Sequence, residues 1–89
     1  VAVTTRGRIG VVGDFDPKNP THVATNRALA DLDLGFEWVA TDRIGDAVET
    51  RLAPFAGVWI APASPYRDME GALAAVRYAR ERGVPLVGT

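Results

Sequence analysis

The sequence predicts a parallel α/β domain, and three observations carry that reading. Short apolar runs without polar alternation recur along the chain, as expected of strands buried on both faces of a sheet. Stretches with helical spacing of apolar and small residues separate them. The connections are short, so the order β-α-β-α-β-α-β calls for right-handed crossovers between parallel strands.

The first strand is residues 8–13, Arg-Ile-Gly-Val-Val-Gly. The loop 14–18 leads to Asn19-Pro20, a capping residue followed by proline at the first helical position, where the missing N–H costs nothing. The first helix then carries Ala24, Ala28, Leu29 and Leu32 on one face, and Gly35 is placed to close it. Residues 36–40 contain Phe, Trp and Val and read as the second strand. Thr41 or Asp42 can cap a second helix with Ile44, Ala47, Val48 and Leu52 on its face; Gly45 weakens its first turn and Pro54 ends it. Residues 57–61 are the third strand, and prolines 62 and 65 enforce a loop after it. The third helix is capped by Asp68, lined by Met69, Ala72, Leu73, Val76 and Ala79, and closed by Gly83 with Pro85. Residues 85–88 open a fourth strand, and residues 1–7, polar and aperiodic, read as a loose leader.

A chain of 89 residues holds one core at most, since domains usually run to roughly 100 to 150 residues. A formal charge of -1 gives no overall field to attract a phosphate backbone or an anionic membrane surface, so neither nucleic acid nor membrane is an expected partner. The local cluster Arg77, Arg80 and Arg82 falls in the last turns of a helix, where cations complement the carbonyl end of the dipole. The sequence has no cysteine, which excludes disulfides, thiolate zinc sites and a cysteine nucleophile within these residues. No apolar run approaches the roughly 20 residues that span a bilayer. The expected location is cytoplasmic.

In open parallel sheets ligands bind beyond the carboxyl ends of the strands, so the informative loops are 14–19, 40–43 and 62–67. Asp14 and Asp16 could hold magnesium as in phosphoryl-accepting receiver domains, but the third strand ends Ile60-Ala61-Pro62-Ala63-Ser64, without a carboxylate to phosphorylate. They read instead as solvated turn residues or as caps for the loop backbone. No glycine-rich turn opens the first helix, so the dinucleotide and P-loop fingerprints fail. His22 has no second histidine to share a metal and reads as an exposed polar residue. Ser64 lacks a nucleophile-elbow sequence. No metal or cofactor is expected.

The stretch Gly57-Val-Trp-Ile-Ala-Pro-Ala-Ser-Pro-Tyr-Arg-Asp-Met-Glu-Gly71, with Ala75-Val-Arg-Tyr-Ala-Arg-Glu-Arg-Gly-Val-Pro-Leu-Val-Gly-Thr89, resembles class I glutamine amidotransferase domains. The likeness is strongest to the C-terminal glutaminase domain of CTP synthase, and extends weakly back to residues 8–13. It implies a flavodoxin-like parallel sheet of order 2-1-3-4 in three α/β/α layers. It also implies that residues 8–89 are the N-terminal part of a domain that, when complete, hydrolyses glutamine to glutamate and ammonia. In that family the nucleophilic cysteine follows the fourth strand on a tight turn, at a helix N-terminus where thiolate is favoured. That position would follow Thr89, so the chain as given is expected to be inactive. The family's loop after the third strand donates backbone N–H to the tetrahedral intermediate. Pro62 has none to give, which leaves Ala63 and Ser64 as the oxyanion or glutamine contacts. Alanine and serine stand there where the family has glycines.

Some members of the group that the resemblance points to are selenoproteins, with selenocysteine at the nucleophile position, which makes a selenoprotein an expectation here. A UGA codon read as a stop would end the product before that residue, and a valine start suits translation from GTG. The codon after Thr89 tests this. With strand order 2-1-3-4 the first helix alone covers one face of the sheet, leaving a few hundred Å² of apolar surface bare. At roughly 25 cal/mol per Å² that drives association, and the isolated chain is expected to self-associate. The alternative to a glutaminase portion is a noncatalytic α/β binding or interaction module, complete as it stands.

Overall fold

The computed structural model describes residues 8–33, 35–61 and 66–88. Four parallel strands, β1 (Arg8–Val12), β2 (Gly35–Val39), β3 (Gly57–Ile60) and β4 (Leu86–Gly88), form one sheet of order β2-β1-β3-β4. The helices are α1 (Pro20–Asp31), α2 (Val48–Leu52) and α3 (Met69–Arg82), with single 3-10 turns at Thr41–Arg43 and Gly45–Ala47. The expected flavodoxin-like, three-layer α/β/α arrangement and its strand order are therefore present.

Alternation along the strands divides the sheet into two faces. Ile9, Val11, Phe36, Trp38 and Trp59 pack on the side of α1, around Leu29. Val12, Val39 and Val58 pack on the other side with Ile44, Leu52, Phe55 and the alanines of α3. Register puts Val11, Trp59 and Val87 side by side on the α1 face, and Val87, at the far strand, is 50% exposed. Among the described residues no helix covers that end of the face.

Three helix readings need correction. In α1 the Asn19 side chain does accept from the Thr21 N–H (2.9 Å), but the buried stripe is His22, Thr25 and Leu29, while Ala24, Ala28 and Leu32 face solvent. The Thr25 hydroxyl bonds the Thr21 carbonyl one turn back (2.9 Å), which lets a polar residue sit there at no lost hydrogen bond. Gly35 is not the cap. Asp33 takes the left-handed conformation (φ 59) and Gly35 opens β2.

The second helix is shorter than its pattern suggests. Gly45 adopts a positive φ of 35, which breaks the segment into two 3-10 turns and delays α2 to Val48. Neither Thr41 nor Asp42 caps it: the turn begins after Ala40 without a side-chain cap. Ile44 and Leu52 are buried as expected, whereas Ala47 is exposed.

In α3 the cap is as read, with the Asp68 carboxylate accepting from the Glu70 N–H (3.1 Å) and Gly83 left-handed (φ 68) at the end. The buried face is Gly71, Ala72, Ala75 and Ala79, and Met69 and Leu73 lie outside at 53% and 48% exposure. The stripe is turned because the smallest residues, not the most apolar, let the helix approach the sheet.

Candidate functional site

Beyond the carboxyl ends of the strands, one carboxylate gathers all three loops. Asp14, directly after β1, accepts from the Thr41 N–H through Oδ1 (3.0 Å) and from the Thr41 hydroxyl through Oδ2 (2.7 Å). The same Oδ2 accepts from the Arg67 N–H (2.9 Å). Thr41, wholly buried after β2, uses its hydroxyl twice: it donates to Asp14 and accepts from the Asp68 N–H at the start of α3 (3.0 Å). A chain of bonds thus runs from the loop after β1 through the loop after β2 to the segment that follows β3.

Burial raises the Asp14 pKa, but the bonds from the Arg67 N–H, the Thr41 hydroxyl and the Thr41 N–H, with the Arg67 charge, outweigh it and hold the carboxyl below its ordinary value. The group is an anion that already accepts three hydrogen bonds, one at Oδ1 and two at Oδ2. That suits a structural clamp better than a general base, and bears out Asp14 as a cap for loop backbone. Asp16 behaves similarly on a smaller scale, accepting from the Lys18 N–H (2.9 Å). Among the described residues no cluster of histidine, cysteine, aspartate or glutamate could hold a metal ion.

The segment after β3 is fixed at both described ends. The Tyr66 hydroxyl donates to the Ala61 carbonyl (2.6 Å), and the next two residues, Arg67 and Asp68, are tied to Asp14 and Thr41 respectively. Ala63 and Ser64 themselves lie outside the described residues. Gly71 completes the corner: a Cβ there would overlap the Thr41 carbonyl oxygen, so only glycine allows the first turn of α3 to rest on that backbone. Between Arg67 and Asp42 runs an exposed ion pair (3.9 Å), a contact worth about 1 kcal/mol at most.

The sequence reading placed His22 in solvent, and the structure buries it to 1% exposure. Its Nδ1 accepts from the Asp16 N–H (3.0 Å), and its ring lies 6.0 Å from that of Phe15 and 4.8 Å from that of Trp38. Trp38 in turn donates to the Asn26 side chain (2.6 Å). His22 is therefore a bracket between α1 and the loop after β1. The Nε2 of His22 and the indole nitrogen of Trp59 are buried without a hydrogen-bond partner. What sequence reasoning missed was Thr41, Tyr66 and His22 as positioning residues. The position of the first two beside strand ends is the signal that was available.

The described arrangement can hold three loops in register, but supplies no nucleophile. No cysteine occurs anywhere in the 89 residues, so they contain no thiolate for glutamine hydrolysis. Among the described residues no helix is long and apolar enough to cross a membrane. No family model matches the chain. It is 28% identical over 88 residues to the CTP synthase of Leifsonia xyli subsp. xyli, covering 90% of the chain and 16% of the relative. Against the CTP synthase of Shouchella clausii the identity is 30% over 88 residues, and against that of Streptococcus thermophilus 31%, each with 91% of the chain and 16% of the relative. The chain spans about 16% of the length of these curated relatives. Over nine tenths of its own length it is a distant relative of CTP synthases.

Proposed function

We propose that residues 8–89 form the N-terminal part of a class I glutamine amidotransferase-like domain of the CTP synthase type, acting in the cytoplasm on glutamine when complete. The observation that supports this most is the continuity of the likeness: it runs over 90% of the chain, so it takes in all three strand-end loops at once. The sheet order is the one this reading requires, and the Asp14–Thr41–Asp68 network fixes the ends of the segment that would meet substrate. In the complete domain Ala63 and Ser64 donate backbone N–H to the glutamine carboxamide or to its tetrahedral intermediate. The Cβ atoms at these two positions restrict the backbone where glycines would not, so hydrolysis is slow.

The test is glutamate release from glutamine by the longest polypeptide encoded around this chain, beside the 89-residue chain alone. Expected are activity or saturable glutamine binding in the former and no hydrolysis in the latter. Replacing Ala63 and Ser64 with glycine should raise kcat. A longest polypeptide that neither hydrolyses nor binds glutamine overturns the reading and leaves the noncatalytic interaction module. For the 89-residue chain, the half-exposed Val87 beside Trp59 is the surface on which we place self-association. Light scattering that finds a monodisperse monomer contradicts it.

A further inference from the structure

A cavity lies along the β2 edge of the sheet, lined from β2, the turn that follows it, α2 and Phe55. We infer that the groove between β2 and α2 binds a small oxyanion, a phosphate or carboxylate, carried on a flat apolar body. The groove has a volume of about 380 Å³, within the range of small-molecule sites, and its lining includes Arg8, Glu37, Arg43, Thr50, Arg51 and Phe55. Three guanidinium groups therefore stand against one carboxylate, in a chain whose overall charge is only -1.

The four charges are not equivalent. Arg8 is paired with Glu37 (3.2 Å), and its guanidinium lies 5.8 Å from the centre of the Phe55 ring. That pair neutralises itself and closes one end of the groove over an aromatic wall. Arg51 donates through Nε to the Arg43 carbonyl (3.1 Å), which anchors the side chain while leaving the four N–H groups of its terminal nitrogens outside that bond. Among the described residues neither Arg43 nor Arg51 is paired with a carboxylate. Two guanidinium groups eight residues apart in sequence are thus brought to one wall, with the Thr50 hydroxyl between them in the chain.

Guanidinium groups match the planar, bidentate geometry of carboxylate and phosphate oxygens, and a cleft concentrates their field. Val39, Pro54 and Phe55 give the same groove an apolar side. Among the described residues β2 is an outer strand of the sheet, with no strand paired to its outward backbone groups. An anion with an aromatic or aliphatic body satisfies both halves. The site does not rest on the glutamine reading: its lining borders the Asp14 network at Ala40 and Arg43, on either side of Thr41, but takes none of the network's own residues.

The experiment is a titration of the ¹⁵N-labelled 89-residue chain with phenyl phosphate, benzoate and inorganic phosphate. Expected are saturable shifts confined to Arg43, Thr50, Arg51 and the β2 backbone, with a Kd of about 1 mM or tighter for the better organic anion. Phenyl phosphate or benzoate as the tighter ligand identifies the oxyanion, and either should exceed inorganic phosphate because of the Phe55 wall. Exchange of Arg43 and Arg51 for glutamine should weaken binding by about tenfold or more, whereas Arg77→Gln with Arg80→Gln on α3 should leave it unchanged. Arg43→Gln alone, at an exposed side chain, serves if the double variant melts early. The inference is overturned by the absence of saturable shifts, by equal weakening from the α3 variants, or by glutamine variants that aggregate but bind as before. That last outcome assigns the arginines to protection of an edge strand.

Discussion

Removing the Asp14 carboxylate should destabilise the fold by an amount that follows from what it leaves behind. In Asp14→Ala three donors lose their acceptor: the N–H and hydroxyl of Thr41 and the N–H of Arg67. Arg67 is exposed and its N–H can turn to water. Thr41 is wholly buried, and each unsatisfied buried donor costs about 1–3 kcal/mol. Relaxation of the loops recovers part of this, so a net loss of about 2–4 kcal/mol is expected. A domain of this size has a total stability on the order of 4–13 kcal/mol, which makes the loss a large fraction of the whole. Urea denaturation followed by the fluorescence of Trp38 and Trp59 measures it. The pH dependence adds a second check. Because the folded carboxyl titrates below its ordinary value of 3.8, its contribution is fully present above that value and is lost as pH falls through the lower folded one. The stability gap between wild type and Asp14→Asn should therefore hold from neutral pH to just above 4 and shrink below it. A variant within about 0.5 kcal/mol of wild type at neutral pH, or a gap unchanged on acidification, refutes the clamp.

Three further substitutions probe the same architecture. Gly71→Ala places a methyl group into the Thr41 carbonyl, and since the obstacle is backbone the cost should reach about 3 kcal/mol; a thermal melt like that of wild type would show that α3 can shift freely. His22→Ala removes a buried ring from a cluster of three with Phe15 and Trp38, together with the acceptor for the Asp16 N–H, and should cost about 2–4 kcal/mol with altered Trp38 emission; an unchanged urea midpoint would return His22 to the surface. Asp68→Ala deletes only the cap on the Glu70 N–H, because the Asp68 N–H still donates to Thr41, so about 1 kcal/mol is expected from denaturation midpoints and a loss above about 3 would point to a wider role.

β1 and β3 were legible as short, largely apolar runs, whereas β2 alternates with an exposed Glu37 and was legible from its Phe, Trp and Val. Three caps were legible for a similarly local reason, Asn19 before Pro20, Asp68 and Gly83 each acting on backbone groups within a few residues, whereas Gly35 and Thr41 or Asp42 were not caps. Helix faces were legible only in part: Leu29, Ile44, Leu52, Ala72 and Ala79 are buried as read, while Ala24, Ala28, Leu32, Met69 and Leu73 are exposed. Which side of α1 turns inward is decided by His22 finding the Asp16 N–H and two aromatic rings, and none of those partners is visible from helical spacing. The carboxyl-edge network was half legible. Its strand-end location and the backbone-capping role of Asp14 follow from the chain order, but the pairing of Asp14 with Thr41 spans 27 residues, and that with Arg67 spans 53.

The orientation of α3 links these failures to the site. Its buried face is made of glycine and alanine, and Gly71 seats its first turn directly on the Thr41 carbonyl. Close approach fixes position more tightly than a contact between long side chains, because small residues have no rotamers through which to yield. Thr41 then bears on α3 twice, through its carbonyl against Gly71 and through its hydroxyl under the Asp68 N–H, while its remaining N–H and hydroxyl proton go to Asp14. A larger residue at the helix face would relax this seat, and with it the described ends of the segment 62–65. Placing Met69 and Leu73 outside is the consequence of that close fit, in a helix whose approach from Tyr66 to Asp68 is tied to Ala61, Asp14 and Thr41.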